Sequence, residues 1–178
     1  MKNVLIVYYS LGGNTKLAAE TVAEGVIKAG DQPILKTGLE ATLNDLINCD
    51  GLIIGCPDYF SHMAGGLKDF FDRTYHPSKG KVDGKPYAAF ICCDRGGIAI
   101  VSIVKMCRSF KLVKIARPLF VYKTPDQKAI GELIDFGFRF STILNSPGIN
   151  KIKIKRGNKI LNKIIGKIKK LHSMLYRF

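Results

Sequence analysis

The run Ser10-Leu11-Gly12-Gly13-Asn14-Thr15 holds the residues of this chain best suited, by type and spacing, to chemistry. It follows an apolar, β-branched stretch and leads straight into a helical pattern, so it reads as a strand-to-helix turn. Two glycines let the backbone curl until successive N–H groups converge, and Ser10, Asn14 and Thr15 add side-chain donors. With the partial positive charge of a helix N-terminus behind them, these groups suit a phosphate monoester. The spacing is neither the Walker loop G-x-x-x-x-G-K-[ST] nor the dinucleotide loop G-x-G-x-x-G. The same residues would also serve an ordinary turn closed by a hydroxyl cap.

Two further loops carry chemistry-bearing residues. Tyr59 and Phe60 follow an apolar strand, where adjacent large aromatics on a rigid scaffold favour binding over packing. Phe70 and Phe71 instead fall at helical spacing with Met63 and Leu67 and read as core. His62, one of three histidines, is open to two readings: a locally bonded or solvated imidazole, or a proton donor. Arg95, in Cys93-Asp94-Arg95-Gly96-Gly97, is either a solvated charge or a counter-charge to an anionic ligand. Cys92 and Cys93 end an apolar run, where packing as small hydrophobes is expected. The five cysteines form an odd set without a C-x-x-C pair. Neither a disulfide framework nor a zinc ribbon is indicated, no metal site is expected, and a reducing cytoplasm is the expected compartment.

The elements that must position these loops follow from periodicity. Residues 3–9 (NVLIVYY) are a continuous apolar run, the pattern of a strand buried on both faces of a parallel sheet. Residues 15–29 put Ala18, Ala19, Val22, Ala23, Val26 and Ile27 on one helical stripe, with Gly30 placed to end the helix. The alternation continues with strands near 33–37, 52–56, 87–92 and 116–122 and helices near 43–47, 63–73 and 98–110. Thr124-Pro125-Asp126-Gln127 reads as a capping box with proline at the first helical position, opening a fifth helix to about residue 144. Strict alternation predicts an α/β protein with a doubly wound, five-stranded parallel sheet. Pro33 and Pro118 cannot donate to a ladder, which sends the second and fifth strands to the edges and predicts the order 2-1-3-4-5. Ligands then bind at the carboxyl ends of the first and third strands, where the winding reverses.

Ser-x-x-Gly-Asn-Thr after a first strand resembles the FMN phosphate loop of flavodoxins, with Gly12 where short-chain flavodoxins usually carry another threonine. Residues 55–73 are similar to the G-x-P-x-Y-F-x-x-M-x-G-x-x-K-x-F-x-D-R segment of flavodoxin-like NAD(P)H:quinone and FMN reductases. The resemblance extends over residues 1 to about 145 and implies a flavodoxin-like fold that binds FMN. It implies phosphate contacts from Ser10, Leu11, Gly12, Gly13, Asn14 and Thr15. The ring is expected between Pro57, Asp58, Tyr59, Phe60, Ser61 and His62 on one side and Cys93, Asp94, Arg95 and Gly96 on the other. Backbone groups of residues 58–61 would meet its polar edge, and Tyr59 or Phe60 would cover one face. Phe90-Ile91-Cys92-Cys93-Asp94 is similar to the Phe-Gly-Cys-Gly-Asp of electron-carrier flavodoxins, but Gly96, Gly97 and Ile98 stand where an aromatic normally covers the outer face. An open face suits a second reactant stacked on the flavin, and a partner subunit is another source of that wall. The expected function is an FMN-dependent oxidoreductase passing electrons from NAD(P)H to a quinone, a flavin or a protein such as an iron-sulfur protein. The alternatives are a one-electron carrier and a non-enzymatic flavin-binding or membrane-docking module.

The formal net charge of +14 is concentrated at one end. All 14 acidic residues precede position 151, and the last 28 residues carry ten Lys and Arg. We therefore divide the chain into a flavodoxin-like domain, 1–148, and a basic extension, 149–178. Beyond Gly157, Ile160, Leu161, Ile164, Ile165, Ile168, Leu171, Met174 and Leu175 share one helical face and four lysines another. This extra basic C-terminal helix suits an anionic membrane surface, its own domain or a sister subunit in a homo-oligomer. Nucleic acid is disfavoured because aromatic interleaving is poor. No apolar stretch approaches the roughly 18 residues of a spanning helix. Met1-Lys2 running into an apolar strand and then glycines is unlike a signal peptide. The expected location is cytoplasmic, or peripheral at the membrane if the extension docks there.

Overall fold

The computed structural model describes residues 1–149. Strand β1 (Asn3–Tyr8) leads into helix α1 (Asn14–Lys28), followed by β2 (Gln32–Thr37), α2 (Leu43–Asn48) and β3 (Gly51–Tyr59). A two-residue strand β4 (His62–Met63) precedes α3 (Gly65–Ser78), β5 (Pro86–Cys93) and α4 (Ala99–Ser109). Strands β6 (Val113–Lys114) and β7 (Leu119–Tyr122) and helix α5 (Gln127–Leu144) complete the described residues. The parallel sheet runs β2-β1-β3-β5-β6, with β7 paired further along β5. This is the expected doubly wound order 2-1-3-4-5, with β5 in fourth place and β6 and β7 sharing the fifth. Pro33 lies in the edge strand β2, where its missing N–H costs nothing.

Alternating side chains of the central strands feed two cores. Leu5, Val7, Leu52 and Ile54 meet Leu46 of α2, Leu67, Phe70 and Phe71 of α3, and Ile103 and Cys107 of α4. Val4, Ile6, Ile53 and Phe90 meet Ala18, Ala19, Val22 and Val26 of α1 and Leu133, Phe136 and Phe140 of α5. Phe70 and Phe71 are completely buried, as their helical spacing implies. Helix α1 ends where Gly30 donates to the Ile27 carbonyl and Asp31 to that of Val26, the paired bonds of a Schellman turn. Against α5 it packs with no room to spare: a Cβ on Gly25 would collide with the Ile134 carbonyl, and one on Gly137 with that of Val22.

Three local expectations are corrected. The fifth strand is not continuous over 116–122. Val113 and Lys114 pair with Pro86 and Tyr87, Leu119 to Tyr122 pair with Phe90 to Cys93, and Arg117-Pro118 interrupts the ladder between them. The cap of α5 is Asp126, whose carboxylate accepts the Ala129 N–H at 2.8 Å, so Pro125 lies before the helix rather than at its first position. Residues 57–62 are not a free loop: β3 continues to Tyr59 and turns back into β4, and α3 begins at Gly65 rather than Met63. The basic C-terminal helix expected beyond Gly157 lies outside the described residues. Among the described residues no helix is long and apolar enough to cross a membrane.

Candidate cofactor site

At the carboxyl end of β1 the chain turns through Tyr9–Gly13 into α1. Gly13 sits at φ 88°, a left-handed backbone that glycine adopts without strain. Its N–H donates to Ser10 Oγ at 3.1 Å, which folds the turn back on itself. Among the described residues no side chain caps α1, and its first turn holds no acidic residue. A helix of this length with its leading N–H groups uncapped by a side chain presents a terminus suited to an anion. Thr15 is almost fully buried there, and its hydroxyl bonds with the Cys92 thiol. Burial pushes that thiol up to about 11, the Thr15 bond opposing only part of the effect.

The second wall is a hairpin. Tyr59 pairs with His62, and the two residues between them, Phe60 at φ 53° and Ser61 at φ 62°, both have left-handed backbone. Such a turn matches the twist of the strands it joins, but in most proteins Asn-Gly or Asp-Gly fills it. The Tyr59 hydroxyl accepts the Leu11 N–H at 3.4 Å, tying the hairpin to the first turn. Met63 donates its N–H to Ser102 Oγ at 3.0 Å, tying it to α4. Asp58 keeps Oδ1 buried with no hydrogen-bond partner among the described residues.

These walls enclose a cleft of about 230 Å³ over the carboxyl ends of β1, β3 and β5. Of the residues singled out from the sequence, Ser10, Gly12, Asn14 and Thr15 line it from the first turn, Pro57, Asp58 and Tyr59 from the hairpin, and Cys93 and Asp94 from the end of β5. The others stand back. Leu11 is exposed on the outside of its turn, Gly13 holds the turn's shape, and Phe60 is fully exposed at the hairpin tip. Ser61 and His62 are exposed beside it, the His62 ring within hydrogen-bonding distance of its neighbour's carbonyl at 3.3 Å. Arg95 and Gly96 are exposed at the cleft's edge. Cys92 and Lys123 line the cleft as well. Cys92 has a sequence signal only as packing, and Lys123 none. Its N–H donates to the Cys93 carbonyl at 3.1 Å because β7 ends beside β5, a neighbourhood that only the strand pairing reveals. Burial raises the Cys93 thiol too, and the Asp58 and Asp94 carboxylates add to the shift.

Sheet order, switch-point cleft and uncapped first helix together define a flavodoxin-like α/β protein. The sequence pattern of the NADPH-dependent FMN reductase family matches residues 27–120, more than half of the chain. The chain belongs to this flavodoxin-like family, and FMN is the cofactor that membership assigns to it. It is 36% identical over 115 residues to a flavodoxin of Aquifex aeolicus, covering 62% of each protein. It is also 36% identical over 111 residues to an NAD(P)H dehydrogenase (quinone) of Gluconacetobacter diazotrophicus, covering 51% of this chain and 56% of that protein. Each alignment thus spans less than two thirds of the relative's length. Among solved structures, a flavodoxin from the domain Archaea superimposes with a TM-score of 0.72 over 81% of this chain and 99% of that one, at 21% identity.

Proposed function

We propose that the cleft holds FMN and that the protein is an oxidoreductase taking hydride from NAD(P)H and passing electrons to a quinone or flavin acceptor. The residues present fit the cofactor. The first turn offers converging N–H groups, the Ser10, Asn14 and Thr15 side chains and no carboxylate, which suits a phosphate ester. Asp58 Oδ1 is a buried acceptor in want of a donor, and a flavin ring carries an N–H on its polar edge. Tyr59 supplies an aromatic wall. Bound flavin would accept a hydride and release electrons singly or in pairs.

The observation that carries the reductase reading is the exposed β5–α4 loop. Asp94, Arg95 and Gly96 are exposed, and no aromatic side chain in residues 94–98 walls the cleft on that side. Hydride transfer needs a donor ring in near contact, and this side leaves it room. The quinone dehydrogenase relative supports the same reading. Anaerobic addition of NADPH or NADH to the FMN-loaded protein tests it, with loss of the oxidised flavin absorbance within seconds as the expected result. Protein that neither nucleotide bleaches, but that takes up electrons from dithionite in two separated one-electron steps, would instead be a carrier.

A further inference from the structure

Among the described residues Lys123 is the one lysine or arginine that lines the cleft, and neither the phosphate turn nor the hairpin accounts for it. We propose that Lys123 is the counter-charge to the reduced ring, raising the potential of bound flavin by offsetting the negative charge gained on two-electron reduction. This rests on the reading of the cleft as an FMN site.

The placement of Lys123 is fixed by its backbone. Tyr122, the last residue of β7, pairs with Cys93, and the Lys123 N–H donates to the Cys93 carbonyl at 3.1 Å with φ at 60°. That holds Lys123 beside the end of β5, while the phosphate turn follows β1 and brings its own donors. Two acids line the same cleft, Asp58 from the hairpin and Asp94 from the end of β5, and both bear on the Cys93 thiol. The cleft lining therefore includes two acids and, in Lys123, one base. Among the described residues the Lys123 ammonium makes no ion pair, so its charge is available to a ligand.

Reduction raises the demand for it. A hydride from a dihydronicotinamide brings two electrons and one proton, the donor leaves as the nicotinamidium cation, and the ring gains one negative charge. Facing the two carboxylates alone, that charge is disfavoured and the potential falls. An ammonium at the same cleft opposes them, the more so the less salt screens it.

The test is the two-electron midpoint potential of the full-length, FMN-loaded protein, read by equilibration with a reference dye under dithionite. Because dithionite supplies the electrons, the measurement stands whether or not a nicotinamide reduces the protein. Lys123→Asn removes the charge with a residue that tolerates left-handed backbone, and Lys123→Arg keeps the charge. Lys123→Asn is expected to shift the reduced-to-oxidised ratio about tenfold toward oxidised, a potential lower by ~30 mV. Lys123→Arg is expected to restore it, and the FMN and riboflavin affinities of the oxidised protein should change in parallel. If Lys123→Asn does not fold by circular dichroism, Lys123→Gln takes its place. An unchanged potential in the neutral variant overturns the inference. So does a loss of FMN affinity with riboflavin affinity unchanged, which would assign Lys123 to the phosphate. Wild-type protein that takes up neither flavin overturns the reading of the cleft itself.

Discussion

Thr15 is the most enclosed donor of the first turn, almost fully buried at the start of α1 with its hydroxyl on the Cys92 thiol. Such a group is already desolvated, so a phosphate beside it gains a charge-assisted bond at little further cost. Thr15→Ala should weaken FMN by about 1.5–3 kcal/mol, roughly ten- to a hundredfold in Kd. Titration of apoprotein against flavin fluorescence reads this directly, and an unchanged Kd would remove the phosphate from the turn. Residue types located the first turn of the cleft, because a glycine-rich run between a strand and a helix announces a turn with its N–H groups to one side. They separated Tyr59 from Phe60 poorly. Both are large aromatics after an apolar strand, yet pleating sends Tyr59 to the cleft and the turn sends Phe60 to solvent. Lys123 was illegible for another reason: its place depends on β7 pairing with β5, a contact between segments distant in sequence.

Among the elements, the β3–β4 hairpin departs most from its sequence signal. Nothing in Phe60-Ser61 announces a two-residue turn, since the positive φ at both positions is what Asn-Gly supplies and these residues resist. The turn forms because Tyr59 and Met63 are each bonded to neighbouring elements, and those bonds hold the strained pair in place. Replacing the pair by Phe60→Asn and Ser61→Gly should relieve about 1–2 kcal/mol and raise Tm by several degrees. A calorimetric scan of apoprotein checks it; an unchanged or lower Tm would mean that the turn carries no net strain. The split fifth strand shows the same limit in milder form. Pro118 marked an edge correctly, but that it also breaks the ladder depends on β5 offering two separate stretches for pairing.

For the whole molecule, two prolines and the β-α alternation carried the sheet order, because an edge strand is the place where a missing N–H is harmless. Charge is also a whole-molecule property, and the ten cations of residues 151–178 should make full-length protein sediment with anionic vesicles at low salt. That binding should fade as ionic strength rises; absence of binding at low salt would leave the extension to another partner. On the alkaline side the buried thiols contribute to how stability depends on pH. All five cysteines are buried. Burial raises Cys49, Cys93 and Cys107 as well as Cys92, held at about 11, and Cys56, at about 12. In the unfolded chain the same groups ionise near pH 8.5. Above that value the unfolded chain binds fewer thiol protons than the folded one, so stability must fall as pH rises. The contribution is fully present below about pH 8.5 and is lost as pH climbs toward the folded values, each thiol approaching ~1.4 kcal/mol per pH unit. Urea midpoints measured from about pH 7 to about 10 should hold steady at first and then drop steeply. Cys56→Ala with Cys92→Ala should flatten the drop despite lowering the plateau, because two of the groups that release protons on unfolding are gone. A wild-type midpoint that stays level to pH 10, or a slope the double variant leaves intact, would assign the alkaline limb to other groups.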